Sequence, residues 1–330
     1  MTRTQGREPI ALTVIGGFLG AGKTTLLNGL LRAGGDRRLA VLVNDFGAIN
    51  IDAGLVQSRE GDMISLKNGC ICCGISGDFI GELALLRDRD DPPEHVVVEA
   101  SGVADPGAIV GLGDMPGYRR DAAVIVADAE TVRARAADET TGPLVKRQLR
   151  AGDLIVLNKS DLVSDEQLAQ VHAWLRELAG PSTAIVQTSF GAVPVDVALG
   201  ARPPVKPDDR PRQARRDADQ DHSGHDHAEH RDFATWSWSG NAPLSGAGLV
   251  AALKALPDGI VRAKGLLHLR EDPERRYILQ LVGRRYSIEA DRAWGEVPPQ
   301  SQLVVIGLQG SIDAGALTST VQRLAAAPGA

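Results

Sequence analysis

Eight residues, Gly17-Phe18-Leu19-Gly20-Ala21-Gly22-Lys23-Thr24, restrict the fold of this chain more than any other stretch. They fit G-x-x-x-x-G-K-[ST], with an apolar run at 10–15 before them and a helix-compatible segment at 24–32 after. A strand must therefore end in a glycine turn that opens directly into a helix. Glycine lets the backbone wrap closely around a phosphate, so that successive N–H groups and the helix N-terminus point at one anion. Gly17, Gly20, Ala21, Gly22, Lys23, Thr24 and Thr25 are the resulting candidates for nucleotide contact. Lys23 adds positive charge near the β- and γ-phosphates, which makes it a candidate catalytic residue, and the Thr24 hydroxyl suits Mg²⁺.

The rest of the first two hundred residues repeats the same alternation. Apolar runs stand at 39–43, 96–98, 122–127, 154–157 and 184–187, and helix-compatible segments at 78–87, 143–151 and 165–178. Leu168, Val171, Leu175 and Leu178 follow helical spacing. Uninterrupted Val/Ile/Leu runs are what strands buried on both faces require. The expected fold class is α/β, a P-loop NTPase with a mainly parallel sheet flanked by helices. Two further pieces, 55–57 and 63–66, are expected to form a small hairpin. His95 is expected just before its strand and His172 on a helix, neither with a role.

Composition changes abruptly at 201–232, which holds four prolines, many charges and His222, His225, His227 and His230 but almost no large apolar residues. Such a segment cannot offset its ordering entropy and reads as a flexible linker. Beyond it, 233–239 alternates, with Trp236 and Trp238 on one side, and strand candidates follow at 261–269, 276–282, 286–290 and 303–308. Helix-like segments at 246–256 and 314–324 complete a smaller α+β domain. The expected organisation is a nucleotide domain at 1–200, a linker at 201–232 and a C-terminal domain at 233–330.

Asn158-Lys159-Ser160-Asp161 follows the run at 154–157 and matches the N-K-x-D element of GTP-binding proteins. A carboxylate at Asp161 accepts from both N1–H and the 2-amino group of guanine, whereas adenine offers no such pair of donors. Glu99 ends another apolar strand, where an acid suits Mg²⁺ directly or through water, and is the second candidate catalytic residue. Gly102 permits close backbone approach to the γ-phosphate. Asp45 ends the second strand, facing the nucleotide, and is a candidate ligand for Mg²⁺ or for a transferred metal.

All three cysteines, Cys70, Cys72 and Cys73, fall within four residues between glycines. Three thiolates on one tight loop can converge on one ion and favour Zn²⁺ or Cu(I) over hard cations, leaving a fourth tetrahedral position open. Buried apolar thiols and a redox pair are the alternatives. The four histidines of 222–230 offer loose metal capture, or are simply part of a solvated linker. Net charge is −6 with no large basic block, so nucleic acid is not an expected partner. No apolar stretch is long enough to span a bilayer, and residues 1–9 lack the apolar core of a secretion signal, so a cytoplasmic protein without a membrane partner is expected.

Together these residues resemble the CobW-type family of GTPases, relatives of the metallocentre chaperones of urease and hydrogenase maturation. The likeness covers nearly the whole chain: the phosphate loop, Asn44-Asp45-Phe46-Gly47, Asn68-Gly69-Cys70-Ile71-Cys72-Cys73, Glu99-Ala100-Ser101-Gly102, Asn158–Asp161 and Arg262-Ala263-Lys264-Gly265. It implies GTP hydrolysis, with Mg²⁺, coupled to delivery of zinc, cobalt or iron to a client apo-metalloprotein. A homodimer is left open. The family's switch segment commonly reads Asn-Glu-Phe-Gly-Glu; here Asp45 and Ala48 replace the two acids. Three rivals stand beside zinc delivery: cobalt or iron insertion (cobalamin synthesis, nitrile hydratase activation), a non-enzymatic zinc-buffering module, and an ATP-using kinase.

Overall fold

The computed structural model describes residues 8–35, 37–43, 63–65, 77–201 and 233–326. The chain divides into two compact units, Met1–Leu199 and Gly200–Ala330.

The first unit is an α/β layer structure. Its elements are β1 (Ile10–Gly16), α1 (Lys23–Ala33), β2 (Leu39–Val43), β3 (Met63–Ser65), α2 (Gly77–Arg87), β4 (His95–Glu99), α3 (Pro106–Val110), β5 (Tyr118–Asp128), α4 (Val132–Ala137), α5 (Gly142–Ala151), β6 (Leu154–Asn158), α6 (Asp165–Ala179), β7 (Ala184–Gln187) and α7 (Val195–Leu199). The strands lie in the order β3-β2-β4-β1-β5-β6-β7. Every pairing is parallel. All residues of β1, β4 and β6 are buried, as the continuous apolar runs require. Leu12 and Val14 of β1 join Phe79, Leu83 and Leu86 of α2 and Ile109 of α3 in one cluster. Ile125, Ile155 and Leu157 join Val145 and Leu149 of α5 and Val171 and Leu175 of α6 in another. The start of α6 is set locally by a reciprocal capping box between Ser164 and Gln167.

Parallel strands place all their carboxyl ends on one edge. From β1 the chain passes to β2 on one side, and from β4 it crosses β1 to β5 on the other. Such a reversal opens a crevice outside the carboxyl ends of the central strands.

One expectation is corrected here and one is extended. Residues 63–65 form a strand that pairs in parallel with β2, Val41 with Met63 and Val43 with Ser65. The other proposed arm, 55–57, lies outside the described residues. His95 opens β4 rather than preceding it, because its ring is drawn into a buried polar contact. The β1–β5 register shifts between Leu12 and Thr13, leaving Asp121 as an extra, bulged residue. The Thr13 hydroxyl donates to Asp121 Oδ2 at 2.8 Å and lies 2.8 Å from His95 Nε2.

The second unit comprises β8 (Phe233–Gly240), α8 (Gly246–Lys254), β9 (Ile260–His268), β10 (Arg275–Val282), β11 (Arg285–Ala293), β12 (Ser301–Leu308) and α9 (Ala314–Ala325). Its antiparallel sheet has the order β11-β10-β9-β12-β8. Trp236, Leu267, Leu279, Leu303 and Val305 of the strands pack with Leu249 and Leu253 of α8 and Val321 of α9. On β8 the sequence alternation holds: Trp236 is buried while Thr235, Ser237 and Ser239 are exposed.

Candidate functional site

The loop between β1 and α1 supplies one end of the site. Gly17, Gly20 and Gly22 all have positive φ, at 133°, 77° and 104°. Gly17 and Gly22 are positions where no other residue fits: a Cβ would lie 2.2 Å from the Val126 carbonyl oxygen at the first and 2.4 Å from Asn158 Nδ2 at the second, and it is Gly22 that opens the helix. It opens α1 in a left-handed conformation with no side-chain cap and no acid in the first turn. The first-turn N–H groups of a helix have no partner within it, and here no capping side chain supplies one. Among the described residues, a Cβ on Gly20 would meet nothing within 4 Å. A helix end without a side-chain cap, opened by a glycine loop and with Lys23 beside it, is a fitting receptor for a polyanion. The Lys23 ammonium donates to the Phe18 carbonyl at 3.3 Å, folding the side chain back over its own loop. Ala21, Thr24 and Thr25 follow in the same turn.

Strand ends supply the remainder. Ile15 is in register with Glu99, and Asp128 with Asn158, so β4, β5 and β6 each finish with a polar residue on the edge beside the glycine loop. Glu99 is only 3% exposed, and its Oε1 accepts the Thr24 hydroxyl at 2.8 Å. A hydroxyl and a carboxylate held together beside a phosphate cradle form a donor set of the hard oxygens that Mg²⁺ prefers. Gly102 follows in the next turn, against Leu19 of the phosphate loop; a Cβ on it would lie 2.9 Å from the Leu19 nitrogen.

Asn158 is buried and acts as a tie. Its Nδ2 donates to the Ala21 carbonyl and its Oδ1 accepts the Gly191 N–H, each at 2.9 Å. One side chain thus joins the phosphate loop to the turn after β7. Lys159 adopts a left-handed backbone, φ 60°, and its ammonium reaches Asp128 Oδ2 at 2.8 Å. Ser160 bonds the Thr188 carbonyl through its hydroxyl at 2.9 Å. Asp161 is exposed on the short helical turn Ser160–Leu162. The structure therefore brings Gly17, Gly20, Ala21, Gly22, Lys23, Thr24, Thr25, Glu99, Gly102, Asn158, Lys159 and Asp161 to one edge of one sheet.

Cys70, Cys72, Cys73, Asp45, His222, His225, His227 and His230 lie outside the described residues. Among the described residues no group of three or more His, Cys, Asp or Glu side chains could hold a metal ion. No helix among them is long and apolar enough to cross a membrane.

The geometry adds residues that the sequence reading passed over. Asp128 ends β5 as Glu99 ends β4, and its place after an apolar run was a usable signal. The turn Thr188–Gly191 follows β7 in the same way, with Phe190 at φ 55° and 79% exposed. Gln148, on α5, carried no local signal at all.

Residues 11–186 match the family described as CobW/HypB/UreG, nucleotide-binding domain, and residues 233–325 match the cobalamin synthesis protein cobW C-terminal domain. A protein of Sinorhizobium sp. named zinc chaperone CobW is 30% identical over 97% of this chain and 98% of its own length. The Escherichia coli protein named zinc chaperone YjiA is 29% identical over 92% of this chain and 95% of its own length. The crystal structure titled Zn(II)-bound YjiA GTPase from E. coli aligns with a TM-score of 0.44 at 23% identity, covering 96% of this chain and 99% of that one.

Proposed function

Because the chain belongs to the CobW/HypB/UreG family and carries a CobW C-terminal domain, we propose that it couples GTP hydrolysis to delivery of a transition-metal ion, zinc first, to a client metalloprotein in the cytoplasm. The chain is a GTPase. The observation that carries the reading is the convergence of Gly22, Lys23, Thr24, Glu99 and Asn158 on one sheet edge.

At that edge the N–H groups of the first α1 turn and the Gly17–Gly22 loop would receive the phosphate oxygens, with Lys23 neutralising charge that develops as the γ-phosphate leaves. Thr24 and Glu99 would hold Mg²⁺, which would supply positive charge to offset that of the triphosphate. Gly102 would bring its backbone to the γ-phosphate. Asn158 holds the loop and the 188–191 turn at a fixed separation, which positions Asp161 and Lys159 for the guanine. Adenine would leave the Asp161 carboxylate without its two donors, so GTP is preferred.

The cargo is assigned to Cys70, Cys72 and Cys73. Three soft thiolates within four residues favour zinc over harder cations and keep one coordination position open for exchange. The zinc-chaperone names of the relatives support zinc over cobalt or iron. Asp45 would act in the segment joining the two loops, and the histidines of 222–230 would raise the local metal concentration. A tenfold change in metal affinity between nucleotide states requires a coupling of only about 1.4 kcal/mol.

Zinc affinity measured by competition with a chromophoric chelator, once with a non-hydrolysable GTP analogue and once with GDP, tests the coupling. It is expected to differ about tenfold or more, and to fall sharply when all three cysteines are replaced by alanine. Equal affinities in the two nucleotide states overturn it, and so does zinc binding that the triple variant leaves unchanged. The same titration with cobalt tests the choice of metal.

A further inference from the structure

Gln148 occupies a position where its chemistry is costly. It sits on α5 beside Val145 and Leu149, two residues of an apolar cluster, and is itself only 1% exposed. A polar amide in such a place is tolerated only when its hydrogen bonds require it. Both of its donors are used. Nε2 donates to the Gly102 carbonyl at 3.0 Å and to the Ala104 carbonyl at 2.9 Å. Its acceptor is not used: Oε1 is buried with no hydrogen-bond partner among the described residues. The side chain is thus present for its two N–H groups, at the expense of an unmet carbonyl oxygen.

Those two carbonyls bound the turn that follows Glu99. The turn is fastened at its start by Ala100 N–H to the Ile15 carbonyl, and within by Ala104 N–H to the Ser101 carbonyl, both at 2.9 Å. It ends at Asp105, whose carboxylate accepts the Gly107 N–H. Gly102 lies between these points, pressed on Leu19 of the phosphate loop. Gln148 also lines a small cavity with Gly17, Leu19 and Asp128. Any movement of Gly102 toward or away from a terminal phosphate must carry the two amide bonds with it or break them.

We propose that Gln148 is the positioning residue that holds the Gly102 turn in the arrangement by which this protein distinguishes GTP from GDP. The proposal rests on the GTPase reading above and concerns a residue that touches no nucleotide itself. Gln148→Met keeps the length and helix preference of the side chain but removes both donors. Gln148→Glu keeps the shape and can donate only when protonated.

In Gln148→Met, the affinity for GDP, read from a fluorescent GDP analogue, is expected to stay within about twofold of the parent. The ratio of GTP-analogue to GDP affinity is expected to fall about tenfold, and kcat about as much. Gln148→Glu is expected to show the same loss at neutral pH and partial recovery as the pH falls. A folded Gln148→Met protein with an unchanged affinity ratio overturns the proposal, even if its melting temperature has dropped, since packing alone would do that. If the Met variant does not fold, the pH profile of the ratio in Gln148→Glu decides, and a flat profile at the parent value overturns it. Failure of the parent protein to bind guanine nucleotide would instead sink the underlying GTPase reading.

Discussion

Among the described residues, seven strands of the first sheet run in one direction, while the five strands of the second alternate. The parallel arrangement sends the carboxyl end of every strand to the same edge. Gly16, Glu99, Asp128 and Asn158 therefore meet there although more than a hundred positions separate the first from the last. Antiparallel strands send successive ends to opposite edges, so in the second sheet the end of one strand meets the start of the next, as His268 of β9 meets Ser301 of β12. Burial differs in parallel with this. Strands β1, β4 and β6 are buried throughout, whereas β11 is exposed or half-buried along its whole length. The lesson is that chemistry collects where topology, rather than local sequence, brings strand ends together, and that a sheet covered on both faces can keep such an edge rigid.

The contrast can be broken most directly at Lys23. Lys23→Ala is expected to lower GTP turnover by about 10²–10³-fold, as loss of a group that stabilises developing charge does. Phosphate release measures it, and near-parental turnover would move the active edge elsewhere. The difference in burial predicts the next effect. Leu12→Ala, in a fully buried strand, should cost about 2–5 kcal/mol of stability. Ile288→Ala, on half-buried β11, should cost about 1 kcal/mol. Chemical denaturation of the two variants compares them, and equal losses would erase the distinction between the sheets. Asn158→Ala removes the tie between the phosphate loop and the 188–191 turn. It should weaken GDP binding by about tenfold or more and leave buried partners unmet, at about 1–3 kcal/mol. Retained GDP affinity would show that the two ends of the site are held independently.

The smallest expected effect concerns the turn that leads into α5. Asp138 is held below its ordinary carboxylate range first by the Thr141 N–H, then by the Thr141 hydroxyl and the Thr140 N–H. Its lowered folded value means that the ionised form favours the fold above the ordinary range, and that this support is lost as the pH falls through the folded value. Asp138→Ala should therefore lower the melting temperature slightly at neutral pH, with the difference from the parent shrinking as the pH falls through the folded value. A difference independent of pH would show that the turn does not depend on that charge.

Much of this was readable beforehand, for identifiable reasons. The strands of the first sheet announced themselves because burial on both faces leaves no room for polar alternation. The glycine loop was legible because its φ values exclude most side chains. The Asn-Lys-Ser-Asp element was recognisable as a pattern, but Asn158 was not recognisable as the tie, since Ala21 and Gly191 lie far from it in sequence. Residues 63–65 were expected in a hairpin. A three-residue strand carries too little pattern to announce a partner, so its parallel pairing with β2 was not legible. His95 was placed outside β4 because a bulge at Asp121, invisible in the sequence, supplies the polar contact that draws it in.

Local sequence by itself determined the phosphate-binding turn, the buried strands, the change of composition at 201–232 and the clustering of three thiols, because each rests on residue chemistry within a few positions. Only the tertiary structure decided which strand ends become neighbours, how Asn158 spans two loops, and why a glutamine lies buried on α5. Those depend on strand order and on contacts across more than thirty residues, and no short-range pattern encodes them.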